Sequence, residues 1–469
     1  MNKRVVVVGA GVSGLVAARR LRLQGCDVRV LEASDAPGGW LRTVRVPTEH
    51  GELIVELGPD SILGEKLAAR ALVEELGLDD HVIRTRTDRH GAFVVARGKL
   101  ERIPESWSLV APGRASPVLR SPVLDTLGKL RVALEPWAPS DPHDDETLAE
   151  FARRRVGWEG LERLAQPLAS GIYGADAETL GLAATLPRFL AMEREQGSVG
   201  KALASAPPRE QASGARYGMF FAFDGGMQVL IDALAREVGD ALELGVSVQR
   251  IERAGARFVV AGAKQRWDAD AVVIALPGPR AAGLLASVAP SASTELSRIA
   301  HGSAATVTFA FRRQDVAHAL DAYGYVTPAI ERRRVMAATF ASEKWPGRAP
   351  EGVVILRAFV GASDEESLEG RTDEALIRSA RRDFDELLGT TGQALFTRVM
   401  RYENAMPRYT VGHLARAREI DALIGASEGL ALAGNALFGV GIPDAIASGE
   451  RAAARVLGER TLSPGPAPS

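Results

Sequence analysis

Cysteine is almost absent from the 469-residue chain, where Cys26 stands alone. A single thiol excludes an internal disulfide framework, a cysteine-ligated zinc site and an iron–sulfur cluster held by this chain. It also makes the reducing cytosol the natural compartment. An excess of one charge is missing too: Lys and Arg total 57 against 59 for Asp and Glu, a formal charge of −2. No basic surplus exists to neutralise a phosphate backbone, so nucleic acid is not expected as a partner. Nor does any run approach the roughly 18 apolar residues of a membrane-crossing helix; a membrane would be met from one side only. The Val5–Val8 run flows into Gly9, Gly11 and Gly14 without a small-residue cleavage site, and reads as a buried strand, not a secretory leader. What is present, 46% hydrophobic and 25% charged residues, is the composition of a folded chain long enough for two or three domains.

The glycines carry the first chemical signal. After the Val5–Val8 strand, apolar residues recur at helical spacing from Val12 to Leu23, Gly25 stops them, and Val28–Leu31 forms a second strand. This is a β-α-β unit with parallel strands. At its turn lies Gly9-Ala10-Gly11-Val12-Ser13-Gly14, a GxGxxG in the right context. Gly9 permits the tight turn, Gly11 lets the backbone approach a pyrophosphate, Gly14 allows close helix–strand packing, and Glu32 accepts from ribose hydroxyls. Downstream, Glu32 to Thr43 adds the pair Gly38-Gly39 and then Arg42, a counter-charge for the pyrophosphate. This continuation resembles the FAD signature of amine-oxidase-like flavoproteins. Near the other end, Gly434-Asn435 and Gly439-Val440-Gly441-Ile442-Pro443-Asp444 precede a helix expected over Asp444–Leu457. Such flavoproteins set a helix N-terminus beneath the pyrimidine end of the flavin, where negative charge gathers on reduction. Asp444 is equally suited to capping that helix.

Between these ends the texture changes. A strand pattern over Leu53–Leu57 ends at Gly58-Pro59. Prolines and tryptophans are scattered through 103–140, helical patterns follow in 147–168 and 183–203, and a further helix spans Gln228–Val238. Short strands are expected at Val246–Val248, Phe258–Val260 and Ala271–Leu276, then a strand-rich stretch over about 300–420, and a compositionally disordered tail at 461–469.

Over nearly its whole length the chain resembles the oxygen-dependent protoporphyrinogen oxidase family. The matching pieces are Gly38-Gly39-Trp40-Leu41-Arg42, Glu56-Leu57-Gly58-Pro59, Gly171-Ile172-Tyr173 with Asp176, Met192-Glu193-Arg194-Glu195, Phe223-Asp224-Gly225-Gly226-Met227, Met406 to His413, and Gly439 to Asp444. The resemblance implies an α/β fold of the p-hydroxybenzoate-hydroxylase and amine-oxidase type. Its parts would be a Rossmann-like FAD-binding domain built from discontinuous segments (1–80, 215–290 and 420–460), a mixed-sheet substrate domain (81–100 and 291–419), and a helical, membrane-resting domain (101–214). It implies FAD as the redox cofactor, hydride transfer from substrate to flavin N5, and dioxygen as acceptor, without a side-chain nucleophile. The residues agree: there is no Ser-His-Asp set, no metal-spaced histidine cluster and no paired carboxylates, and His413 is expected to be structural. Besides Gly9, Gly11, Gly14, Glu32, Gly38, Gly39, Arg42 and Asp444, the resemblance implies cofactor contacts at Ala10, Ala33, Gly58, Pro59, Asp60, Val248, Tyr402, Gly434, Asn435, Gly441 and Ile442. Substrate contacts fall at Ala92, Gly171, Val326, Thr339, Phe359 and Phe438.

Several positions depart from the family. Ala92 stands where many members, though not the Gram-positive type, have an arginine that pairs with a substrate propionate, a charge-assisted bond worth about 1.5–3 kcal/mol. Asp60 replaces an asparagine, and Leu437-Phe438 replace a tyrosine and a basic residue, so these changes are expected to make the site less positive. Val326 and Thr339 stand at two positions usually held by leucines. Arg97, Lys99 and Arg102 are the nearby candidates for a replacement cation. Three readings remain open. The first is an FAD-dependent oxidase of protoporphyrinogen IX or coproporphyrinogen III in haem biosynthesis, and the second a paralogue oxidising an amine or a specialised metabolite. The third is an FAD-binding scaffold without turnover. Against the amine oxidases, Asn435 occupies the place of their usual glutamate. The expected partners are a small-molecule substrate and dioxygen, for a cytoplasmic monomer or homodimer that touches the membrane peripherally through 103–140, where Trp107 and Trp137 lie among arginines.

Overall fold

Val5 to Val8 are each at most 3% exposed, which puts strand β1 (Arg4–Val8) in the middle of a sheet. In the computed structural model β1 pairs in parallel with β2 (Asp27–Leu31) on one side and with Ala271–Ile274 on the other. Leu242–Glu243 and Leu430–Leu432 complete a five-stranded parallel sheet. Such a sheet needs both faces covered. Helix α1 (Val12–Leu23) covers one, packed against helices Gln228–Val238 and Ile442–Leu457. The other face packs on Ile251, Phe258, Leu285 and Ile420. The structure describes residues 2–141, 143–205, 220–361, 368 and 370–459; the tail expected at 461–469 and residues 215–219 lie outside them.

Several expected boundaries shift, two of them for a local reason. The strand expected at Val246–Val248 runs instead over Val248–Ala254, because the Val246 amide is spent on the Glu32 carbonyl at 2.8 Å. The last helix starts at Ile442, two residues before Asp444, since Pro443 has the fixed φ that suits a first helical turn.

Residues between 103 and 205 form a helical unit containing α2 (Thr126–Ala133), α3 (Leu148–Gly160), α4 (Gln166–Tyr173) and α5 (Pro187–Gln196). Its centre holds charge. Arg154 donates to Glu146 at 2.6 Å and to Glu193 at 2.5 Å, while Glu135 accepts from Arg155, the Ser198 hydroxyl and the Val199 and Gly200 amides. Pairing and hydrogen bonding of this kind offset the cost of taking these charges out of water. Trp107, expected at a docking surface, is instead core: it is 2% exposed, with its indole N–H on the Leu109 carbonyl.

The third layer is a seven-stranded sheet. It comprises β3 (Phe93–Ala96), β4 (Lys99–Arg102), β5 (His301–Arg312), β6 (Gly324–Val326), β7 (Val335–Phe340), β8 (Val353–Gly361) and β9 (Phe396–Pro407). The spatial order is β9-β5-β8-β7-β6-β3-β4, and only β6–β3 is parallel. Side chains alternate between its faces. Phe309, Tyr325, Leu356, Ala358 and Val360 pack on helix α6 (Asp373–Leu388). Val94, Val326, Ala337 and Phe359 face the helical unit.

Candidate functional site

The turn after β1 forms a cradle. Gly9 has φ +103°, and a Cβ there would lie 2.5 Å from the Ala275 carbonyl oxygen; at Gly14 it would lie 2.0 Å from the Gly9 oxygen. These two positions therefore admit only glycine. Gly11 differs, for a Cβ there meets nothing within 4 Å. Helix α1 starts at Gly11 without a side-chain cap and without an acid in its first turn, so its leading amides face that open space unsatisfied. Gly38 closes one wall, its amide donating to the Ala10 carbonyl at 2.8 Å, and Gly39 approaches Gly11. The Ala10 amide donates to Glu32 Oε2 at 2.7 Å, which pins the carboxylate to the rim, and Ser34 donates to Oε1. Exposed Ala33 follows, and Val248 is half-buried at the start of its strand beyond Val246. Arg42 is exposed and pairs with no carboxylate among the described residues. Open space, uncapped amides and an unpaired guanidinium together fit the pyrophosphate of a dinucleotide.

A second group of expected residues gathers where this cradle meets the large sheet. Arg357 Nη1 donates to the Gly58 carbonyl at 2.6 Å, its Nη2 donates to the Tyr402 hydroxyl at 3.2 Å, and that hydroxyl donates to the Leu57 carbonyl. The Tyr402 ring meets Trp40 edge-on at 5.2 Å. Pro59 is exposed beside them. Asp60 accepts from Lys344 Nζ at 3.0 Å and from Ser61 at 2.8 Å. Burial alone would raise its carboxyl, but Lys344 and Arg357 outweigh that and hold it at about 2. Asp60 is thus a charge already compensated by its neighbours Lys344 and Arg357.

The C-terminal motifs are tied together by Tyr409. Its hydroxyl donates to the Asn435 carbonyl at 2.5 Å and accepts from the Gly439 amide at 2.9 Å. Asn435 Nδ2 reaches the Ala405 carbonyl, and the Gly434 amide donates to Ser448. Asp444 caps the last helix by accepting from the Gly441 amide at 3.1 Å, and it accepts from Lys66 at 2.5 Å. Ile442 is buried in the core beneath the cradle. Phe438 is half-buried, with the Arg451 guanidinium 5.9 Å from its ring. His413 is 1% exposed; it bonds the Leu437 carbonyl at 2.9 Å and stacks on Tyr409 at 3.8 Å, a structural arrangement.

On the inner face of the large sheet the registry brings the expected substrate residues into two neighbouring rows. One row is Val94, Val326, Ala337 and Phe359, on β3, β6, β7 and β8. The other is Gly324, Thr339 and Arg357, with Ala92 next in line at the start of β3. Gly171 on α4 lies over the first row, since a Cβ there would be 3.6 Å from Val326. Two of the three nearby cations are engaged elsewhere, while Lys99 stands opposite Ala96 and so lies toward the face of Ala92. The Arg97 guanidinium bonds the Pro122 carbonyl, Lys99 is exposed at the turn, and Arg102 pairs with Asp321 and lies 5.0 Å over Phe93, on the opposite face.

Arg357, Lys344 and Tyr409 were not singled out by sequence reasoning. A signal for Arg357 existed: it is the one charge inside the apolar run Val353–Gly361. Lys344 and Tyr409 act through partners far away in the chain, which no local pattern reveals.

Comparison with known proteins accords with this geometry. The family model for flavin containing amine oxidoreductase matches residues 12–457. Coproporphyrinogen III oxidase of Bacillus subtilis is 31% identical over 97% of this chain and 98% of its own length. That of Staphylococcus aureus is 32% identical over 98% of this chain and 100% of its own. The crystal structure of a candidate protoporphyrinogen oxidase from Exiguobacterium sp. 255-15 superposes with a TM-score of 0.86 at 28% identity, covering 97% of this chain and 98% of that one. With an FAD-shaped cradle on one side and a sheet platform on the other, matched from one end to the other, the chain belongs to the flavin-containing amine oxidoreductase family.

Proposed function

We propose that the protein oxidises a porphyrinogen to the porphyrin in haem biosynthesis, with FAD as cofactor and dioxygen as final acceptor, and that coproporphyrinogen III is preferred to protoporphyrinogen IX. The observation that carries this reading is the platform: an apolar row containing Phe359 runs beside a row containing the buried cation Arg357, at the edge of the dinucleotide cradle. A tetrapyrrole macrocycle fringed with carboxylates matches that pairing of surfaces. Coproporphyrinogen carries more carboxylates than protoporphyrinogen, and the relatives named coproporphyrinogen III oxidase extend over nearly the whole chain.

When bound, FAD supplies the hydride acceptor and passes the electrons to dioxygen. The chain supplies position and field. Uncapped amides of α1 and Arg42 hold the pyrophosphate, and Glu32 accepts from the ribose. The N-terminus of the helix beginning at Ile442 would offer its partial positive charge to the flavin's pyrimidine end. Phe359, Val326 and Gly171 line the apolar face on which the macrocycle would rest. An amine substrate is disfavoured because Lys344 and Arg357 would repel a protonated amine. We assign the protein to the cytoplasmic side, with peripheral membrane contact through the helical unit.

The test is porphyrin fluorescence and oxygen uptake on mixing flavin-loaded protein with coproporphyrinogen III or, separately, protoporphyrinogen IX, against a flavin-only control. Faster fluorescence growth with coproporphyrinogen III is expected. Rates equal to the control with both compounds would overturn the reading.

A further inference from the structure

Position 92, where many members of the family, though not the Gram-positive type, have a propionate-binding arginine, is alanine here, yet its cross-strand row does not lack a cation. Extending the β6–β3 register by one step sets Ala92 opposite Gly324, which pairs with Thr339, which pairs with Arg357. Ala92 and Arg357 thus occupy one row on one face, three strands and roughly 14 Å apart. That distance is on the scale of a tetrapyrrole macrocycle.

Arg357 has an unusual environment for a buried charge. It is 4% exposed, and its two hydrogen-bond partners, the Gly58 carbonyl and the Tyr402 hydroxyl, are both neutral. Its Nε is buried and has no partner among the described residues. Asp60 lies close enough to feel its charge, but Asp60 is bonded to Lys344, and Arg357 forms no ion pair among the described residues. A guanidinium taken out of water without a carboxylate is costly. Its remaining donor capacity is held on the platform by stacking on Phe359, 5.0 Å from the ring centre.

We propose that Arg357 is the specificity residue that binds a carboxylate of the substrate, supplying from the same row the charge that Ala92 lacks. The inference rests on the porphyrinogen reading above and adds to it the point of charge recognition. The carboxylate completes the hydrogen bonding of the guanidinium, and in doing so it fixes how the macrocycle is rotated over Phe359.

The experiment compares coproporphyrin III with its tetramethyl ester, titrated into flavin-loaded wild type, Arg357→Gln and Arg357→Lys, with binding read from porphyrin fluorescence. Arg357→Gln should weaken coproporphyrin III by about ten- to a hundredfold, the size expected for a lost charge-assisted hydrogen bond, and leave the ester's Kd within about threefold. Arg357→Lys should recover most of the loss for the acid. Equal weakening of acid and ester would mean that Arg357 only shapes the pocket, and an unchanged acid Kd would mean that it does not touch the carboxylate; either overturns the inference. If wild type oxidises coproporphyrinogen III while Arg357→Gln keeps the wild-type ratio of acid to ester affinity, the inference alone fails. If wild type neither binds coproporphyrin III nor oxidises its porphyrinogen, the functional reading fails and the inference with it.

Discussion

Lys344 Nζ donates to the Asp60 carboxylate at 3.0 Å and so fastens the short helix Ala341–Lys344 to the Gly58–Asp60 turn. Both side chains are largely buried, at 7% and 14% exposure, so removing one partner should strand the other. Lys344→Met is expected to lower unfolding free energy by about 3–5 kcal/mol. Adding Asp60→Asn should restore most of it, because the stranded charge is gone. Urea denaturation of the flavin-loaded proteins at neutral pH measures both. A double variant as unstable as Lys344→Met would show that the charge pair is not the source of the loss.

Gly11 and Gly14 separate cofactor binding from folding. A side chain at Gly11 enters open space, so Gly11→Val should fold with a wild-type far-ultraviolet spectrum yet lose the flavin absorbance, because the valine fills the place of the pyrophosphate. At Gly14 the nearest atom to an added Cβ is a backbone oxygen at 2.0 Å, which cannot move aside. Gly14→Ala should cost about 1–3 kcal/mol of stability or more, whether or not flavin is present. Full flavin absorbance in purified Gly11→Val would displace the nucleotide from this cradle.

The contrast marks what the sequence disclosed. The cradle was legible because turn, helix start and Glu32 lie within a few dozen residues, and each glycine answers a local need of the backbone. Helix α1 occupies the expected residues, Val12–Leu23. The substrate platform was legible only through family resemblance, since Ala92, Val326, Thr339 and Phe359 come together by strand pairing across more than 260 residues. The compensation of its charges was hidden for the same reason. Asp60 looked like an added negative charge until its distant partners Lys344 and Arg357 were brought beside it. Trp107 looked like an interfacial anchor, but composition does not tell which of two tryptophans turns inward.

His413 provides a pH dependence whose sign is fixed. Burial is the main cause that holds its imidazole neutral and lowers it to about 4; Arg416 adds to this, and the Leu437 carbonyl and Asp145 oppose it. The unfolded chain takes up a proton near pH 6.5 and the folded one does not, so the contribution is complete above pH 6.5 and is lost as pH falls toward 4. Stability should therefore drop by roughly 1–3 kcal/mol between pH 7 and pH 4.5 through this residue alone. His413→Gln should flatten that part of the profile and leave turnover number unchanged. A large fall in turnover with an unaltered pH–stability curve would instead make His413 a participant in the reaction.

The helical unit carries an apolar stripe that the rest of the surface does not match. Leu127, Leu130 and Leu134 recur on one side of α2 at exposures of 77%, 53% and 56%, and Trp137, at 75%, continues the line one turn on. Lys129 and Arg120 lie nearby in sequence, and Arg153 stacks on exposed Trp158 at 4.8 Å. No helix among the described residues is long and apolar enough to cross a membrane, so such a stripe would rest in the interface. Apolar side chains beside cations bind anionic bilayers through buried area and charge together. The protein should accordingly co-sediment with phosphatidylglycerol-containing vesicles and release as salt is raised. Leu130→Glu combined with Trp137→Glu should abolish co-sedimentation without altering turnover of detergent-dispersed porphyrinogen, since neither residue lines the platform. Unbound wild-type protein at low salt would remove the membrane from the account and leave the stripe to a protein partner.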